Sequence, residues 1–515
     1  MHTTNSSAPL AVAGTPAGSA DADPAAAARA MQSIHPLVQR ILAARGLDDP
    51  HLLHAFVNAS LRDLHDTRQL PNIGMAVDRI IKSLQRAGPL VIYGDYDVDG
   101  ITASSILYHT FRTAAPEADI QIYIPHRIDE GYGLNAKALE RMHADGVDLV
   151  VSVDCGITAH DAAARAKELG LDLIITDHHN PPAEGDPLPD AFAIVHPRLP
   201  GSAYPFGELC GAGVAFKVAW DLARTWCGSE RVSESFRQML TECLAFAALG
   251  TIADIVPLRD ENRVIAKYGL RMMKHTRFIG LNALITATGL DDESIDSEAV
   301  GFRIGPRLNA AGRMGHAREA AVLLTEAQPA QAATIARELN TRNEERRATE
   351  RDIFEQACNM AEAAGMTGDD QRVIVLAHPD WHVGVIGIVA SNLVERFGRP
   401  AVLLHDGGDL LKGSARSIPG YSIHAGLQAA SEWLAGFGGH DMAAGLSVVR
   451  EKFDNFVEAL SAHANEHISV EELTPCLAID CEATLDDLAS SAVQQVLDLG
   501  PFGADNPRPT LLLRN

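Results

Sequence analysis

The sequence predicts an α/β protein in which a parallel sheet, covered by helices, is joined by a long helix to a smaller α/β domain. Short apolar segments rich in Val and Ile alternate with segments of helical composition, as in a parallel sheet buried on both faces. The length of 515 residues also exceeds what one core usually serves. The predicted strands of the first domain are Pro89–Tyr93, Ile120–Ile124, Val147–Val153, Leu171–Thr176 and Phe192–His196.

Helical patterns precede, separate and follow these strands. Residues 1–30 are rich in Ala, Ser, Thr, Pro and Gly and are expected to form a disordered tail. The predicted helices of the first domain are His35–Ala44, Asn72–Arg86, Asn135–Ala144, His160–Leu169, Cys210–Arg224 and Ser235–Leu249.

A long and mostly polar helical pattern, Pro329–Ala364, is predicted to connect the two domains, with Gly365 as its C-cap. The second domain has predicted strands at Arg372–Ala377, Pro400–His405 and Leu446–Val449, and helices at Val385–Phe397, His424–Ala435 and Glu451–His463. The predicted boundaries are 1–30 for the tail, 31–328 for the first domain, 329–365 for the connecting helix, 366–467 for the second domain and 468–515 for an incomplete third module.

The composition indicates a cytoplasmic protein with no membrane association. No segment is apolar for long enough to span a bilayer, and the N-terminus lacks the pattern of a secretory signal. Seven cysteines without a C-x-x-C pair argue against a disulfide framework or a structural zinc site. The net charge of −24 would repel nucleic acid, so any nucleic-acid binding requires local basic groups or metal ions.

Acidic and imidazole side chains follow the ends of several predicted strands. They are Asp95, Asp97 and Asp99 after the first strand, Asp154 after the third, Asp177, His178 and His179 after the fourth, and Asp254 after a predicted helix. Taken singly, each cluster is also typical of a solvated turn, a surface pair or a helix cap. Because the carboxyl ends of parallel strands meet at one edge, the clusters together predict a site for one or two divalent cations. Two such ions can clamp a phosphoryl group and activate water.

Four of these segments resemble, in order, the motifs of the DHH phosphoesterase superfamily. They are Asp95–Gly100 (DYDVDG), Asp154–Gly156 (DCG), Asp177–His179 (DHH) and Ala253–Asp254. Gly438–Gly445 (GGHDMAAG) resembles the loop of the DHH-associated domain. Trp381–Ser391 and Arg307–Met314 (RLNAAGRM) narrow the resemblance to the RecJ family of single-strand-specific exonucleases, from about Leu70 to Pro507.

The resemblance implies a catalytic DHH domain that holds two divalent cations, Mn²⁺ or Mg²⁺. The implied metal ligands are Asp95, Asp97, Asp99, Asp154, His178 and Asp254, with Asp154 as the bridge between the ions. The implied catalytic residues are Asp97, Asp99, Asp154, His178, His179 and Asp254. Asp95 and His179 could either bind a metal or support a residue that does, and Asp177 is expected to orient a histidine.

The same resemblance places substrate binding partly in the second domain. The implied residues are Arg307, Asn309, Arg313, His382, Ser414, Arg416, Gly438, Gly439 and His440. Arginines and glycine-rich backbone suit phosphate groups, which would offset the negative net charge locally. Phe502–Pro507 resembles a motif at the beginning of an OB-fold, within which the sequence stops.

The implied function is metal-dependent 5′→3′ hydrolysis of single-stranded DNA to 5′-mononucleotides, in DNA repair and recombination. The expected partners are single-stranded DNA, a single-strand-binding protein and a helicase, for a protein that acts as a monomer. One alternative is a DHH phosphodiesterase acting on short oligonucleotides or cyclic dinucleotides. A non-catalytic scaffold and an inorganic pyrophosphatase are further alternatives, disfavoured by the intact acidic clusters and by the motifs of the second domain.

Overall fold

The computed structural model describes residues 34–86, 88–126, 130–131, 133–183, 185–474 and 476–514. The predicted tail, residues 1–30, lies outside these ranges. The chain divides into two compact units, of which the first combines the residues up to Asn340 with those from Ala478 onward. The second unit is Thr341–Leu477.

The first unit is built on a five-stranded sheet in which every pair of neighbouring strands is parallel. Its strands are β1 (Leu90–Gly94), β2 (Ile120–Tyr123), β3 (Leu149–Val153), β4 (Asp172–Thr176) and β5 (Ala193–Val195). Their order in the sheet is β2-β1-β3-β4-β5. The predicted parallel α/β sheet is therefore confirmed, and the carboxyl ends of all five strands lie at one edge.

Helices cover both faces of this sheet, as the nearly continuous apolar strands require. The helices that precede or alternate with the strands are α1 (Pro36–Ala44), α2 (Pro50–Val57), α3 (Ile73–Arg86), α4 (Val98–Ala114), α5 (Ala136–Ala144) and α6 (His160–Leu169). Leu90 and Ile92 of β1 pack into one core with α3 and α4. Val91 and Tyr93 point to the opposite face and pack with α5 and α6.

A second set of helices follows the sheet in the sequence. These are α7 (Gly211–Cys227), α8 (Glu234–Ala253), α9 (Asp260–Met273), α10 (Ile279–Ala287), α11 (Gly305–Met314), α12 (Arg318–Thr325) and α13 (Pro329–Ala363). Helices α7 and α8 are buried over most of their length and belong to the same core as α3 and α4. The 35-residue α13 contains the boundary between the two units, at Asn340.

The second unit contains a mixed five-stranded sheet with the order β6-β7-β8-β10-β9. Its strands are β6 (Ile374–His378), β7 (Ala401–Asp406), β8 (Leu410–Arg416), β9 (Leu434–His440) and β10 (Ala443–Val449), and its helices are α14 (Val383–Phe397), α15 (Ile423–Ala429) and α16 (Phe453–His467). The sequence predicted neither β8 nor β9, and the helix predicted to reach Ala435 ends at Ala429. Both missed strands are glycine-containing and poor in β-branched residues, so they lack the usual strand signal.

The C-terminal segment belongs to the first unit rather than the second. It contains β11 (Cys481–Ala483), α17 (Ser490–Leu497) and β12 (Leu511–Leu513), and the two strands pair in parallel. Leu499 and Ala492 of this segment share a small core with Leu37 and Ile41 of α1. The expectation that it begins an OB-fold stays a prediction. Of the helices in the described ranges, none combines the length and the apolar character needed to cross a bilayer.

His109 of α4 is a buried imidazole that should make folding stability depend on pH. Its Nε2 lies 2.9 Å from the carbonyl oxygen of Leu324, and its ring packs on Phe246 and Phe278. Burial lowers the pKa of His109 from 6.5 to about 4, so below pH 6.5 the unfolded chain binds more protons than the folded one. The stabilisation is complete above pH 6.5 and is lost as the pH falls towards 4.

We expect His109→Gln to reduce the loss of stability between pH 8 and pH 5 by about 2 kcal/mol, because each pKa unit corresponds to about 1.4 kcal/mol. Urea unfolding at pH 8 and at pH 5, followed by tryptophan fluorescence, measures the loss of stability in wild type and in the variant. The exposed His275, replaced by Gln, is the matched control. An equal loss of stability in wild type and His109→Gln would contradict the assignment.

Candidate metal centre

The three aspartates after β1 lie in a tight turn that leads into α4. Asp95 is 3% exposed, and Asp97 caps α4 by accepting a hydrogen bond at Oδ1 from the backbone N–H of Gly100, at 3.1 Å. A Cβ atom on Gly100 would lie 2.6 Å from the backbone nitrogen of Asp95. Only glycine therefore allows the start of α4 to approach the end of β1 this closely.

Asp99 is held at the N-terminus of α7. Its carboxylate is 1% exposed and accepts hydrogen bonds from the backbone N–H groups of Gly211, at 2.6 Å, and Ala212, at 2.8 Å. The positive end of a 17-residue helix favours a carboxylate in this position. On α8, Gly250 leaves no space beside Asp99, because a Cβ atom there would lie 2.4 Å from Asp99 Oδ1.

Asp154 follows β3 and has a left-handed backbone conformation, with φ of 60°. Such a conformation costs on the order of 1 kcal/mol or more for a residue other than glycine, and it persists where surrounding contacts enforce it. Here the backbone N–H of Asp154 donates to the carbonyl oxygen of Thr176, at 3.0 Å. A Cβ atom on Gly211 would lie 2.6 Å from Asp154 Cβ, so α7 also begins directly against this residue.

The two histidines after β4 are oriented by Asp177. Asp177 Oδ1 lies 2.8 Å from Nδ1 of His179 and accepts from the backbone N–H of His178, while its Oδ2 accepts from the backbone N–H of Ile157. Burial opposes ionisation of Asp177, but the bond to His179 outweighs it and holds the pKa of this carboxyl far below its usual range. Burial lowers and Asp177 raises the pKa of His179, with a net increase to about 9.

His178 lies at the centre of the acidic residues. Its Nε2 is buried, makes no hydrogen bond within the described residues and faces three carboxylates. The distances are 3.1 Å to Asp154 Oδ1, 3.5 Å to Asp254 Oδ2 and 3.8 Å to Asp99 Oδ2. Burial lowers the pKa of His178 to about 4, so the ring is neutral near pH 7 and can act as a metal ligand.

The crowded carboxylates resist ionisation in the absence of a counter-charge. Burial and the neighbouring acids, Asp99 first, raise the pKa of Asp154 well above its usual value and that of Asp254 to about 9. Burial likewise raises the pKa of Asp99. Like charges at these distances disfavour one another, and divalent cations with oxygen ligands would remove that repulsion.

Within the described residues, three overlapping groups of side chains have ligand atoms within 4.8 Å of one another. The groups are Asp154, His178 and His179; Asp99, His178 and Asp254; and Asp95, Asp97 and Asp154. Carboxylate and imidazole donors of this kind suit Mn²⁺ and Mg²⁺. The residues therefore fit divalent cations, and all eight acidic and histidine residues predicted for the site lie in or next to this cluster, with Asp177 as the residue that contacts His179.

The predicted substrate-binding residues of the first unit lie on α11, where Asn309 and Arg307 make the following internal contacts. Asn309 Oδ1 accepts from the backbone N–H of Val98 at 3.1 Å, which ties α11 to the turn of Asp97 and Asp99. Arg307 donates through Nε to Asn340 Oδ1 at 2.8 Å. Arg313 lies in the last turn of α11. Helix α11 thus supports the acidic turn, whatever further role these side chains have.

In the second unit, the strand register gathers several of the predicted substrate-binding residues. Across β8, β10 and β9, Arg416 and His440 both pair with Ala443, and Ser414 and Gly438 both pair with Gly445. Gly439, with φ of 144°, pairs with Ala444, and His382 caps the start of α14. Gly438–His440 therefore ends a strand, whereas the sequence suggested a loop.

Sequence reasoning missed the backbone and glycine contacts that hold the acidic residues in place. Gly211 and Ala212 act through their N–H groups, and Gly250 acts by the absence of a side chain. Arg198 also escaped notice, although it donates to the carbonyl oxygen of His178 and, at 2.9 Å, to Asn180 Oδ1. Gly211 at the start of α7 and Gly250 within α8 were the features of the sequence that could have indicated these close contacts.

Comparison with known proteins agrees with this arrangement. Residues 89–251 match the family described as DHH family, N-terminal domain, and residues 370–466 match the DHHA1 domain. The first match contains all the residues of the acidic cluster except Asp254, and the second contains the mixed sheet of the second unit.

The chain is also similar to curated proteins named single-stranded-DNA-specific exonuclease RecJ. It is 40% identical to the protein of Bacillus subtilis over 94% of this chain, and spans 59% of that protein's length. It is 33% identical to the protein of Dickeya dadantii over 95% of this chain and 85% of that protein.

Solved structures give the same result. The structure of RecJ from Thermus thermophilus in complex with Mn²⁺ is 30% identical and covers 95% of this chain, with 68% of that chain matched and a TM-score of 0.79. An exonuclease RecJ bound to manganese is 33% identical, with 78% of this chain and 98% of that chain covered and a TM-score of 0.66. The chain therefore belongs to the RecJ family, in which a DHH domain is followed by a DHHA1 domain.

Proposed function

We propose that this protein is a metal-dependent exonuclease that degrades single-stranded DNA in the 5′→3′ direction and releases 5′-mononucleotides. The observation that carries the proposal is the convergence of Asp99, Asp154 and Asp254 on the buried Nε2 of His178. Relatives named as exonucleases specific for single-stranded DNA support the substrate, and relatives crystallised with Mn²⁺ or Mg²⁺ support the cofactor.

We propose Asp95, Asp97, Asp99, Asp154, His178 and Asp254 as the residues that hold two divalent cations. The cations would neutralise the phosphodiester, activate the attacking water and stabilise the leaving oxygen. Asp99 reaches the site already fixed by two backbone N–H groups, so its carboxylate requires little reorganisation. His178 contributes a neutral nitrogen, which limits the negative charge of the ligand set.

His179 has a different proposed role from His178. Asp177 holds its ring through Nδ1 and keeps it cationic up to about pH 9 in the absence of metal. A cationic imidazole beside the carboxylates stabilises an anionic phosphodiester, which the surrounding acids would otherwise repel. Asp177 is thus proposed to act through His179 rather than on the substrate.

The second unit is proposed to bind the DNA backbone through the face that carries Ser414, Arg416, Gly438 and His440, with Gly439 and His382 as further binding residues of the same unit. The small residues Ala443 and Gly445 between these strands leave space for a phosphate-sugar chain to approach. Arg307, Asn309 and Arg313 of α11 are proposed to contribute in the first unit. Phosphate contacts of this kind release counterions, so KM for DNA should increase steeply with salt.

Digestion of a long single strand labelled at its 5′ or its 3′ end tests the proposed function. With Mn²⁺ or Mg²⁺ we expect early release of labelled mononucleotide from the 5′ end, late release from the 3′ end, little cleavage of duplex, and no activity with EDTA. Cleavage restricted to dinucleotides or cyclic dinucleotides would favour the alternative phosphodiesterase. Release first from the 3′ label would contradict the polarity, and a KM independent of salt would contradict the binding mode.

The cellular setting is also a proposal. We propose that the nuclease acts on single strands exposed during DNA repair and recombination. The proposed location is the cytoplasm. A helicase would generate its substrate and a single-strand-binding protein would coat it. We propose a monomer, and sedimentation of the full chain with and without a single strand tests this state.

A further inference from the structure

A turn near the C-terminus, with Leu499 and Asn506 buried at its two ends, packs against the loop that follows Asp254. The turn is Leu499–Asn506, and the loop is Ile255–Leu258, which connects α8 to α9. The backbone N–H of Leu258 donates to the carbonyl oxygen of Ala504 at 2.9 Å, across about 250 residues of sequence. The turn thus reaches the segment that directly follows a proposed metal ligand.

Side-chain packing at this contact is tight. A Cβ atom on Gly503 would lie 2.7 Å from Leu258 Cδ1, so a larger residue at this position would require the buried Leu258 side chain to move. The hydroxyl of Ser297 donates to the carbonyl oxygen of Phe502, and Arg259 lies 3.5 Å from a carboxylate oxygen of Asp505. The turn is therefore attached at several points around Leu258.

The shape of the turn depends on Asn506, which is 1% exposed. Its Nδ2 donates to the carbonyl oxygens of Leu499, at 3.0 Å, and Pro501, at 2.8 Å, while its Oδ1 accepts from Arg45 at 2.9 Å. A buried side chain with these three hydrogen bonds fixes the turn, because losing any one leaves a buried polar group without a partner.

The first turn of α9 links this contact to the metal centre. Arg263, 2% exposed, donates through Nη2 to the carbonyl oxygens of Leu499 and Gly500, at 3.0 and 3.1 Å. The preceding residue, Asn262, is fully buried and donates to the carbonyl oxygens of Pro257, at 3.1 Å, and Glu208, at 2.6 Å. Glu208 lies three residues before Gly211, whose N–H group binds Asp99.

The loop itself carries strain that needs external support. Ile255 has φ of 59°, a left-handed conformation that a β-branched residue rarely adopts, and its side chain is 74% exposed. An exposed side chain cannot provide the packing that enforces such a backbone. At the start of the loop the backbone N–H of Ile255 donates to the carbonyl oxygen of Ile252 at 3.3 Å, and at its end the N–H of Leu258 donates to Ala504, so backbone contacts at both ends hold the loop.

We propose that the turn Leu499–Asn506 is a brace that sets the position of Asp254 in the metal centre. In this proposal Asn506, Gly503 and Arg263 are positioning residues. The motif Phe502–Pro507, which resembles the beginning of an OB-fold, then helps to position a residue of the cation site. The proposal rests on the proposed role of Asp254 as a metal ligand.

Gly503→Ala and Asn506→Ala test the brace, and the exposed Gln494→Ala, in the same C-terminal segment, is the matched control. Hydrogen exchange in the metal-free full-length protein should show at least tenfold faster exchange of the Leu258 amide in both variants. Calorimetric titration should show at least tenfold weaker Mn²⁺ binding, and the nuclease should need correspondingly more Mn²⁺ for half-maximal rate. Gln494→Ala should match wild type in all three.

A second substitution separates positioning from a loss of folding. Leu258→Ala removes the atom that the new methyl group would meet, so the double variant Gly503→Ala/Leu258→Ala should recover Mn²⁺ affinity relative to Gly503→Ala. Unchanged exchange at Leu258, or unchanged Mn²⁺ affinity in both single variants, overturns the brace. If exchange and Mn²⁺ binding respond while wild type releases no nucleotide, the brace stands and the proposed nuclease function fails.

Discussion

Asp154→Asn is expected to abolish nuclease activity with either Mn²⁺ or Mg²⁺ and, at the same time, to stabilise the metal-free protein at neutral pH. Asp154 is fully buried beside Asp99, Asp254 and His178, and burial followed by the charges of its neighbours raises its pKa. A carboxyl whose folded pKa lies above its unfolded value destabilises the fold as the pH rises above that unfolded value. Asparagine keeps the shape of the side chain and removes this effect.

Thermal melting of wild type and Asp154→Asn tests this prediction. The more stable of the two proteins should be the variant without metal and wild type with Mn²⁺. Without metal, we expect the variant to melt higher at pH 7, since 1 kcal/mol corresponds to about 2–4 °C in a domain of 150–250 residues and to less in a larger unit, and the difference should shrink towards pH 4. With millimolar Mn²⁺, wild type should melt higher, because it alone keeps the full ligand set.

The loss of activity should exceed the roughly 10–100-fold loss typical of changing an outer contact of a metal ligand. The exposed Asp145→Asn, on the same unit, is the control for an unspecific change of charge. Full nuclease activity in Asp154→Asn, or melting temperatures at pH 7 that equal those of wild type both with and without Mn²⁺, would remove Asp154 from the proposed site.

Gly250→Ala is expected to reduce kcat by about 100-fold and to destabilise the first unit by about 1–3 kcal/mol. The new methyl group would lie 2.4 Å from Asp99 Oδ1, 2.6 Å from Ala212 Cβ and 2.7 Å from Thr102 Oγ1. Asp99 would have to move away from the N-terminus of α7, and a displacement of one ångström is enough to disrupt a catalytic geometry.

Gly74→Ala is the matched control, because Gly74 is also helical and a Cβ atom there would meet no atom within 4 Å. By helix propensity alone, either substitution should stabilise the protein by up to about 1 kcal/mol. We expect that gain for Gly74 and its reversal for Gly250, measured by urea unfolding and by the initial rate of nucleotide release. Equal effects at the two positions would show that the contact with Asp99 is not critical.

The sheet of the first unit could be predicted from the sequence because each buried parallel strand is a nearly continuous apolar segment. The topology then required the residues that follow β1, β3 and β4 to meet at one edge. For that reason Asp95, Asp154 and His178 could be grouped although the sequence separates them widely. Asp254 was grouped with them although it follows a helix rather than a strand, and the family resemblance then implied its role as a metal ligand.

Other features depend on close approach and were not predictable from the pattern of residues. Gly250 has the same appearance in the sequence as Gly74, and only the three-dimensional packing separates a necessary glycine from a neutral one. The sequence also contained no sign that the side chain of Asn309 accepts from the N–H of Val98, a contact between residues 211 positions apart. In the second unit, β9 has three glycines among its seven residues, so its sequence does not resemble a strand. Its pairing with β10 stabilises the extended conformation.

The C-terminal turn that contacts the Asp254 loop is synthesised later than all the proposed metal ligands. Every proposed metal ligand lies between Asp95 and Asp254, so a nascent chain carries the whole ligand set long before Leu499 leaves the ribosome. At roughly 5–20 residues per second, the intervening 250 or so residues take on the order of 10–50 seconds. During that interval the brace is absent, and the growing polypeptide carries the ligands of the proposed nuclease while the position of Asp254 is not yet set.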